Sequence, residues 1–345
     1  MQALVLRDFW DIGAEERPDP VPGQDEALVE ITATGICGSD LHGFTGENGR
    51  RSPGQVMGHE TVGVVKAAAG DGGPAEGSAV TVNPVLYCGT CAACRSGREQ
   101  ACPNKQVIGV HAALSSAFAE LMAVRTRNLV PLPDTLPREY GALVEPLSVG
   151  YHALRRGDCG PDDTVLVVGG GPIGQACVLA ARRLGVQRVA VSEPDAHRRE
   201  LNASLGAVAL DPREGEVAPR VADALDGPPT LAVDAVGATP TIRDALASAA
   251  PGGRVVLVGM AAPAVDIQAY AVSTEERALV GSFTYTATEF RETAEWVAGN
   301  PPELANLIEG RVDFAGAPEA FTSLAKGENP ASKVLVFPHG VPADR

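Results

Sequence analysis

The sequence predicts an α/β chain of two domains, one β-rich and bearing metal-ligand clusters, the other built on a doubly wound parallel sheet. Three observations carry this reading. At 345 residues the chain is too long for one ordinary core. Residues 1 to about 145 alternate short apolar runs with Gly, Pro and Asp. From Asp163 onward, apolar strands alternate with helical stretches, and the first strand ends in the turn Gly169-Gly170-Gly171-Pro172-Ile173-Gly174.

In the β-rich part, Met1–Leu6, Glu26–Thr34, Glu60–Ala67 and Ala79–Asn83 read as strands. Ala27, Val29 and Ile31 alternate with polar neighbours, as expected when one face of a strand is buried. In the second part Thr164–Val168 is a continuous apolar run, and Gln175–Leu184 follows it as a helix. Arg188–Ser192, Leu231–Ala235 and Arg254–Gly259 read as further strands, with helices at His197–Leu205 and Ile242–Ala249, and the pattern closes near Ala278–Tyr285. A helix at Thr288–Ala298 and a last strand at Lys333–Phe337 complete the chain.

Gly169-x-Gly171-x-x-Gly174 has the context a dinucleotide fingerprint requires, a strand before it and a helix after it. Gly169 permits the tight turn, Gly171 lets the backbone approach a pyrophosphate, and Gly174 lets the helix pack close to the sheet. Pro172 and Ile173 lie in this turn, and the free N–H groups of the helix that follows face the phosphates. Glu193, at the end of the second strand, can accept hydrogen bonds from ribose hydroxyls and would repel a 2′-phosphate. Asp195 suits a helix N-cap. Arg198 and Arg199 are the residues that could instead grip a 2′-phosphate. The balance favours NAD, with NADP the alternative.

Two groups of metal-ligand residues stand apart. Cys88, Cys91, Cys94 and Cys102 read C-x2-C-x2-C-x7-C. Short loops can bring four thiolates to one tetrahedral zinc, whereas they serve two disulfides poorly. A second constellation is spread over Cys37-Gly-Ser39-Asp40-Leu-His42, His59-Glu60 and Glu145. A catalytic zinc takes about three protein ligands and one open position. Cys37 and His59 suit it, and Glu60 and Glu145 compete for the remaining place.

The formal net charge of −15 argues against a nucleic-acid partner or an anionic membrane surface. No apolar run is long enough to span a bilayer. The opening Met1-Gln-Ala-Leu-Val-Leu-Arg-Asp lacks the apolar core of an export signal, and a thiolate cluster suits the cytoplasm, so a cytoplasmic location is expected. A homodimer or homotetramer acting on a small-molecule alcohol is also expected.

Taken together, these motifs resemble the zinc-dependent medium-chain dehydrogenases, and within them the sorbitol dehydrogenase branch. Gly58-His59-Glu60-x-x-Gly63 is similar to the family's zinc signature, and Gly35-Ile36-Cys37-Gly38-Ser39-Asp40-Leu41-His42 to its first ligand loop. Gly141-Ala-Leu-Val-Glu145-Pro-Leu-Ser-Val-Gly150 resembles the polyol version of the third segment. The resemblance implies a GroES-like catalytic domain over residues 1–149 and 286–345 and a Rossmann NAD-binding domain over 150–285. It implies two zincs per chain. One would be structural on Cys88, Cys91, Cys94 and Cys102. The other would be catalytic on Cys37, His59 and Glu60, with Glu145 a fourth ligand or the partner of zinc-bound water. Ser39 and His42 match proton-relay positions. The implied reaction is oxidation of a secondary alcohol (a diol, polyol or cyclitol) to a ketone by hydride transfer to the nicotinamide.

Some residues depart from the branch. Thr284 stands where sorbitol dehydrogenases carry a substrate-holding arginine, and Gly43 where they carry a tyrosine. Phe44, Phe118, Phe283 and Tyr285 are candidate pocket walls. His152 can share a helical face with Glu145, while His111, His197 and His339 read as surface or structural. Cys159 and Cys177 read as small apolar fillers. Three rival readings are an amino-alcohol dehydrogenase of the threonine type, a zinc-free reductase of the same superfamily, and a non-catalytic nucleotide-sensing protein.

Overall fold

The computed structural model describes all residues except 48, 69–72, 115 and 344–345. The chain divides into two compact units, Met1–Glu145 with Thr286–Arg345, and Pro146–Tyr285. The helix Val144–Arg156 begins in the first and continues into the second.

The first unit is built on a seven-stranded sheet. Along it lie Gly310–Asp313, Val334–Phe337, Glu26–Gly35, Glu60–Ala67, Ala79–Val82 and Leu129–Pro131, with Leu121–Arg125 also paired to Glu26–Gly35. In Glu26–Gly35 the expected alternation holds, with Ala27, Val29 and Ile31 fully buried. These residues pack with Val65, Val80 and Met122. The N-terminal strand Gln2–Asp8 folds back on Asp11–Glu16 as a hairpin, a pairing the sequence reading missed.

A second cluster joins that hairpin to the helices Gly38–Thr45 and Ala317–Ala325 through Leu4, Leu6, Phe44, Phe118 and Phe321. The Phe44 and Phe321 rings lie 5.5 Å apart, as do those of Phe118 and Phe321. Such tilted and edge-on pairs suit the ring quadrupoles and bury large apolar area. Phe44 and Phe118 are therefore core residues, one of the two places open to an aromatic at these positions. Both were ambiguous because an aromatic in a loop can face either a ligand or the core.

The register of three strands positions the site. Thr34 pairs with Thr61 and Gly35 with Glu60, so the loop that begins at Ile36 starts beside His59-Glu60. On the other side Leu335 pairs with Gly35, and the Ile36 N–H donates to the Val334 carbonyl at 2.9 Å. The end of one strand and the starts of two others thus meet in one corner of the sheet. The 3-10 segment Arg138–Leu143 packs on the same sheet, where Thr81 Oγ1 donates to the Gly141 carbonyl at 2.9 Å. A Cβ on Gly141 would meet Val62 Cγ2 at 2.5 Å, so only glycine permits this approach, three residues before the helix that carries Glu145.

The second unit is a six-stranded parallel sheet. Its order is Val208–Leu210, Arg188–Ser192, Thr164–Val168, Leu231–Asp234, Arg254–Leu257 and Ala278–Gly281. In chain order this is 3-2-1-4-5-6, that of a dinucleotide-binding sheet. The first helix runs Pro172–Arg183, starting three residues earlier than expected because proline is accommodated at its first turn. The last strand of this sheet, Ala278–Gly281, lies where the sequence pattern is expected to close. Val208–Leu210 and the amphipathic helix Val217–Leu225 were not anticipated; the strand has only three residues and one exposed valine.

Candidate functional site

Two groups of potential ligands converge among the described residues. The first is the cysteine knuckle. All four Sγ atoms lie within 4.8 Å of one another, with Cys88 and Cys94 3.9 Å apart, Cys91 and Cys94 3.5 Å and Cys88 and Cys102 3.6 Å. A tetrahedral zinc with Zn–S bonds of about 2.3 Å has S···S edges of about 3.8 Å. The spacing matches that tetrahedron, and none of the four is in a disulfide. Backbone N–H groups of Thr90 and Cys91 approach Cys88 Sγ at 3.5 and 3.4 Å. The Thr90 amide and hydroxyl and the Cys91 amide bring the Cys88 thiol down to about 5, so it supplies a thiolate readily.

The second group is Cys37, His59 and Glu60, each with one ligand atom within 4.8 Å of the others. Cys37 is half-buried and caps the helix Gly38–Thr45, while His59 and Glu60 are buried. Burial alone would lower the His59 pKa, but Asp40, Cys37 and Glu145 overcome it and raise it to about 10. A pocket of negative groups that pulls a proton onto an imidazole is one that favours a cation, and a sulfur, a nitrogen and a carboxylate oxygen form a donor set zinc accepts. Glu145 is buried and bears on this charge balance.

Around these ligands lie Asp40, which the sequence placed in the constellation without a role, and Arg51 and Lys333, which the sequence reading did not single out. Asp40 is fully buried; its Oδ2 accepts from the Cys37 N–H at 3.2 Å, and its Oδ1 lies 3.6 Å from His59 Nδ1 and 3.6 Å from Arg51 Nη2. An imidazole whose Nδ1 faces a carboxylate presents Nε2 to a metal. The Arg51 side chain is 1% exposed and fills the space beside Gly43, where a Cβ would meet Arg51 Cγ at 2.3 Å. A tyrosine at position 43 could not coexist with Arg51 in this position. Lys333, one of four lysines in the chain, is buried and donates to Glu60 Oε2 at 2.5 Å. Its only sequence signal was a scarce lysine abutting an apolar strand.

Ser39 and His42 lie on the helix Gly38–Thr45, both half-buried, three positions apart and so on one face. Glu145, Ser148 and His152 are buried along Val144–Arg156. His111, His197 and His339 are exposed, while Cys159 and Cys177 are buried. Of the remaining pocket candidates Tyr285 is buried and Phe283 is 40% exposed.

In the glycine loop, Gly169 has φ of 96°, a conformation that favours glycine, and a Cβ on Gly174 would meet the Gly169 carbonyl at 1.9 Å. A Cβ on Gly171 would meet only Arg198 Nη1, at 3.8 Å, leaving room for a phosphate at the helix start. Glu193 is buried. Its Oε2 accepts from the Gly170 N–H at 2.7 Å and its Oε1 from the Asp195 N–H at 2.8 Å, so it clasps the loop and keeps spare lone pairs for other donors. Asn202 and Gln175 donate to the Gly170 carbonyl at 2.8 and 3.0 Å. Asp195 caps the next helix by accepting from the Arg198 N–H at 2.9 Å. Arg199 is occupied, donating to the carbonyls of Glu193 and Pro194 and lying 3.1 Å from Asp211. Arg198 Nε has no hydrogen-bond partner among the described residues.

Comparison with known proteins agrees with this geometry. The family model of the alcohol dehydrogenase GroES-like domain matches residues 23–134, and that of zinc-binding dehydrogenases residues 172–299. The chain is 29% identical to the sorbitol dehydrogenase of Bacillus subtilis, over 98% of each chain. It is 33% identical to the 2-dehydro-3-deoxy-L-galactonate 5-dehydrogenase of Pseudoalteromonas atlantica, over 91% of this chain and 92% of that one. A protein of Sinorhizobium meliloti 1021, described as a zinc-binding dehydrogenase and solved bound to NADP, superposes with a TM-score of 0.88 at 31% identity, over 98% of this chain and 99% of that one. With both domain families matched in order along a chain that folds as they do, the protein belongs to the zinc-binding alcohol dehydrogenase family, in its polyol dehydrogenase-like branch.

Proposed function

We propose that this protein is an NAD(P)-dependent zinc alcohol dehydrogenase that oxidises a secondary alcohol of a polyhydroxylated substrate, a polyol or sugar acid, to the ketone. The observation that carries the reading is the convergence of Cys37, His59 and Glu60 beside a buried Asp40. A zinc-free reductase or a purely nucleotide-sensing protein has no use for that donor set. Cys37, His59 and Glu60 would hold the catalytic zinc, with Glu145, whose charge acts on His59, a fourth ligand or the partner of zinc-bound water. Cys88, Cys91, Cys94 and Cys102 would hold a structural zinc.

The catalytic zinc, when bound, supplies Lewis acidity that makes the alcohol proton easier to remove. The chain supplies the rest. Asp40 orients His59. Ser39 and His42, three positions apart on one helical face, pass the alcohol proton toward solvent, the serine hydroxyl both accepting and donating. Gly169, Gly171, Pro172, Ile173 and Gly174 receive the pyrophosphate, and Arg198 stands over Gly171 to pair with it. The dinucleotide, when bound, would supply the hydride acceptor.

NAD is favoured because a buried carboxylate, Glu193, sits beside the loop and Arg199 is already engaged. NADP is the alternative. The polyol or sugar-acid class rests on the sorbitol and deoxygalactonate dehydrogenases among its relatives. A cytoplasmic location and a homo-oligomer are part of the same reading; the edge strand Ala278–Gly281, with Leu279 40% exposed, is the place for a second copy to pair.

The test is zinc analysis joined to a coenzyme-reduction assay over polyols, sugar acids, cyclitols and threonine with NAD and NADP. Turnover of a polyol or sugar acid with two zincs per chain is expected. Threonine as the best substrate would replace the substrate class, and no turnover with any alcohol would overturn the reading.

A further inference from the structure

We propose that Lys333 is a positioning residue, a resident counter-cation that holds Glu60 through Oε2 and sets how strongly this carboxylate competes for the metal. The inference rests on reading Cys37, His59 and Glu60 as a metal site. Lys333 is 3% exposed, and among the described residues its ammonium has two partners, Glu60 Oε2 at 2.5 Å and the Ile36 carbonyl at 3.3 Å. It thus bridges the loop that carries Cys37 and the strand that opens with Glu60. The surroundings are built for this contact. A Cβ on Gly35 would stand 2.2 Å from Glu60 Oε2 and 3.2 Å from Lys333 Cδ, so the pair meets in space that only glycine leaves open.

Charge balance gives the physical reason. Cys37 as thiolate, Glu60 and Glu145 carry three negative charges into a buried corner; Lys333 returns one, and a divalent cation supplies the other two. Asp40, which also faces His59, is balanced by Arg51. Burying uncompensated charge is costly, so without metal Lys333 is the group that keeps Glu60 tolerable in the interior. With metal bound, the same ammonium draws on the carboxylate and weakens it as a ligand, leaving it easier to displace.

The test uses zinc-loaded protein. Zinc release to excess chelator and thermal unfolding before and after chelation are compared for wild type, Lys333→Met, Lys333→Arg, Gly35→Ala, Glu60→Gln and the Lys333→Met/Glu60→Gln double variant. Lys333→Met is expected to slow release of the catalytic zinc by about tenfold or more, the range outer-shell partners command. It also widens the melting-temperature gap between loaded and stripped protein. Gly35→Ala, which displaces the carboxylate without removing the lysine, shifts both readouts the same way, and Lys333→Arg stays near wild type. In the Glu60→Gln background Lys333→Met changes release no further, because it acts through Glu60. Unchanged or faster release from a two-zinc Lys333→Met protein, or the same shift with Glu60 already neutralised, would overturn the inference alone. A His59→Ala protein that keeps both zincs would overturn the metal-site reading and this inference with it.

Discussion

Replacing Glu193 tests the dinucleotide loop most directly. Its two carboxylate oxygens each accept one backbone N–H, from the buried Gly170 at 2.7 Å and from Asp195 at 2.8 Å. A hydrogen bond to a charged group contributes about 1.5–3 kcal/mol. Glu193→Ser cannot reach both donors, so roughly 3–6 kcal/mol is lost if neither N–H finds water. For a domain of this size that lowers the melting temperature by roughly 10 °C or more. Glu193→Gln keeps one accepting oxygen and turns an NH2 group toward the other N–H, so it should lose about half as much. NAD binding should weaken in both, through the loosened loop and the lost ribose contact. Relief of repulsion should raise the NADP/NAD ratio of kcat/KM by about tenfold. Differential scanning fluorimetry and steady-state kinetics with both coenzymes read these effects. Melting within a degree or so of wild type for both variants, with an unchanged coenzyme ratio, would refute the clasp. Loss of stability with an unchanged ratio would leave the clasp and remove the coenzyme-selecting role.

Three further outcomes are expected. Cys94→Ser should lower the zinc content to about one per chain and reduce thermal stability, whereas His59→Ala should also lose one zinc but abolish turnover with the fold intact; unchanged zinc and stability in Cys94→Ser would contradict the structural site. Thr284 has φ of 50°, an uncommon conformation for a β-branched residue, and its Oγ1 lacks a hydrogen-bond partner among the described residues. Thr284→Arg should therefore be tolerated by the backbone and raise kcat/KM for sorbitol, which should be a poor substrate of the wild type; sorbitol as the best wild-type substrate would reverse that expectation. Hydrogen bonds from Arg213 hold the Asp211 carboxyl well below its ordinary 3.8. Because the folded-state value is the lower one, its stabilisation is complete above about pH 4 and fades as the pH falls further. Asp211→Asn should melt below wild type at pH 7, with the gap narrowing in acid; a gap independent of pH would exclude this ion-pair cluster as the cause.

Local constraints were legible in the sequence. Four cysteines within fifteen residues can converge only on something small, and a glycine loop between an apolar strand and a helix has few other uses. The period-2 pattern of Glu26–Gly35 and the apolar runs of the parallel sheet were equally plain, because side-chain alternation and continuous burial are written residue by residue. Cys37, His59 and Glu60 could be proposed as ligands from their motifs, but nothing in their spacing said that they meet.

That was decided by strand register. Gly35 opposite Glu60, with Leu335 opposite Gly35, brings together Cys37, His59, Glu60 and Lys333, whose partner Glu60 lies 273 positions away in the chain. A lysine before a strand carries no local mark of the carboxylate it will meet. The same holds for Phe44 and Phe118, which join the aromatic core, and for Arg51, which fills the space Gly43 leaves. Glu193 shows the division within one residue. Its position after the second strand was readable, but its service to two backbone donors depends on how closely the loop and the turn pack, which only the folded chain determines.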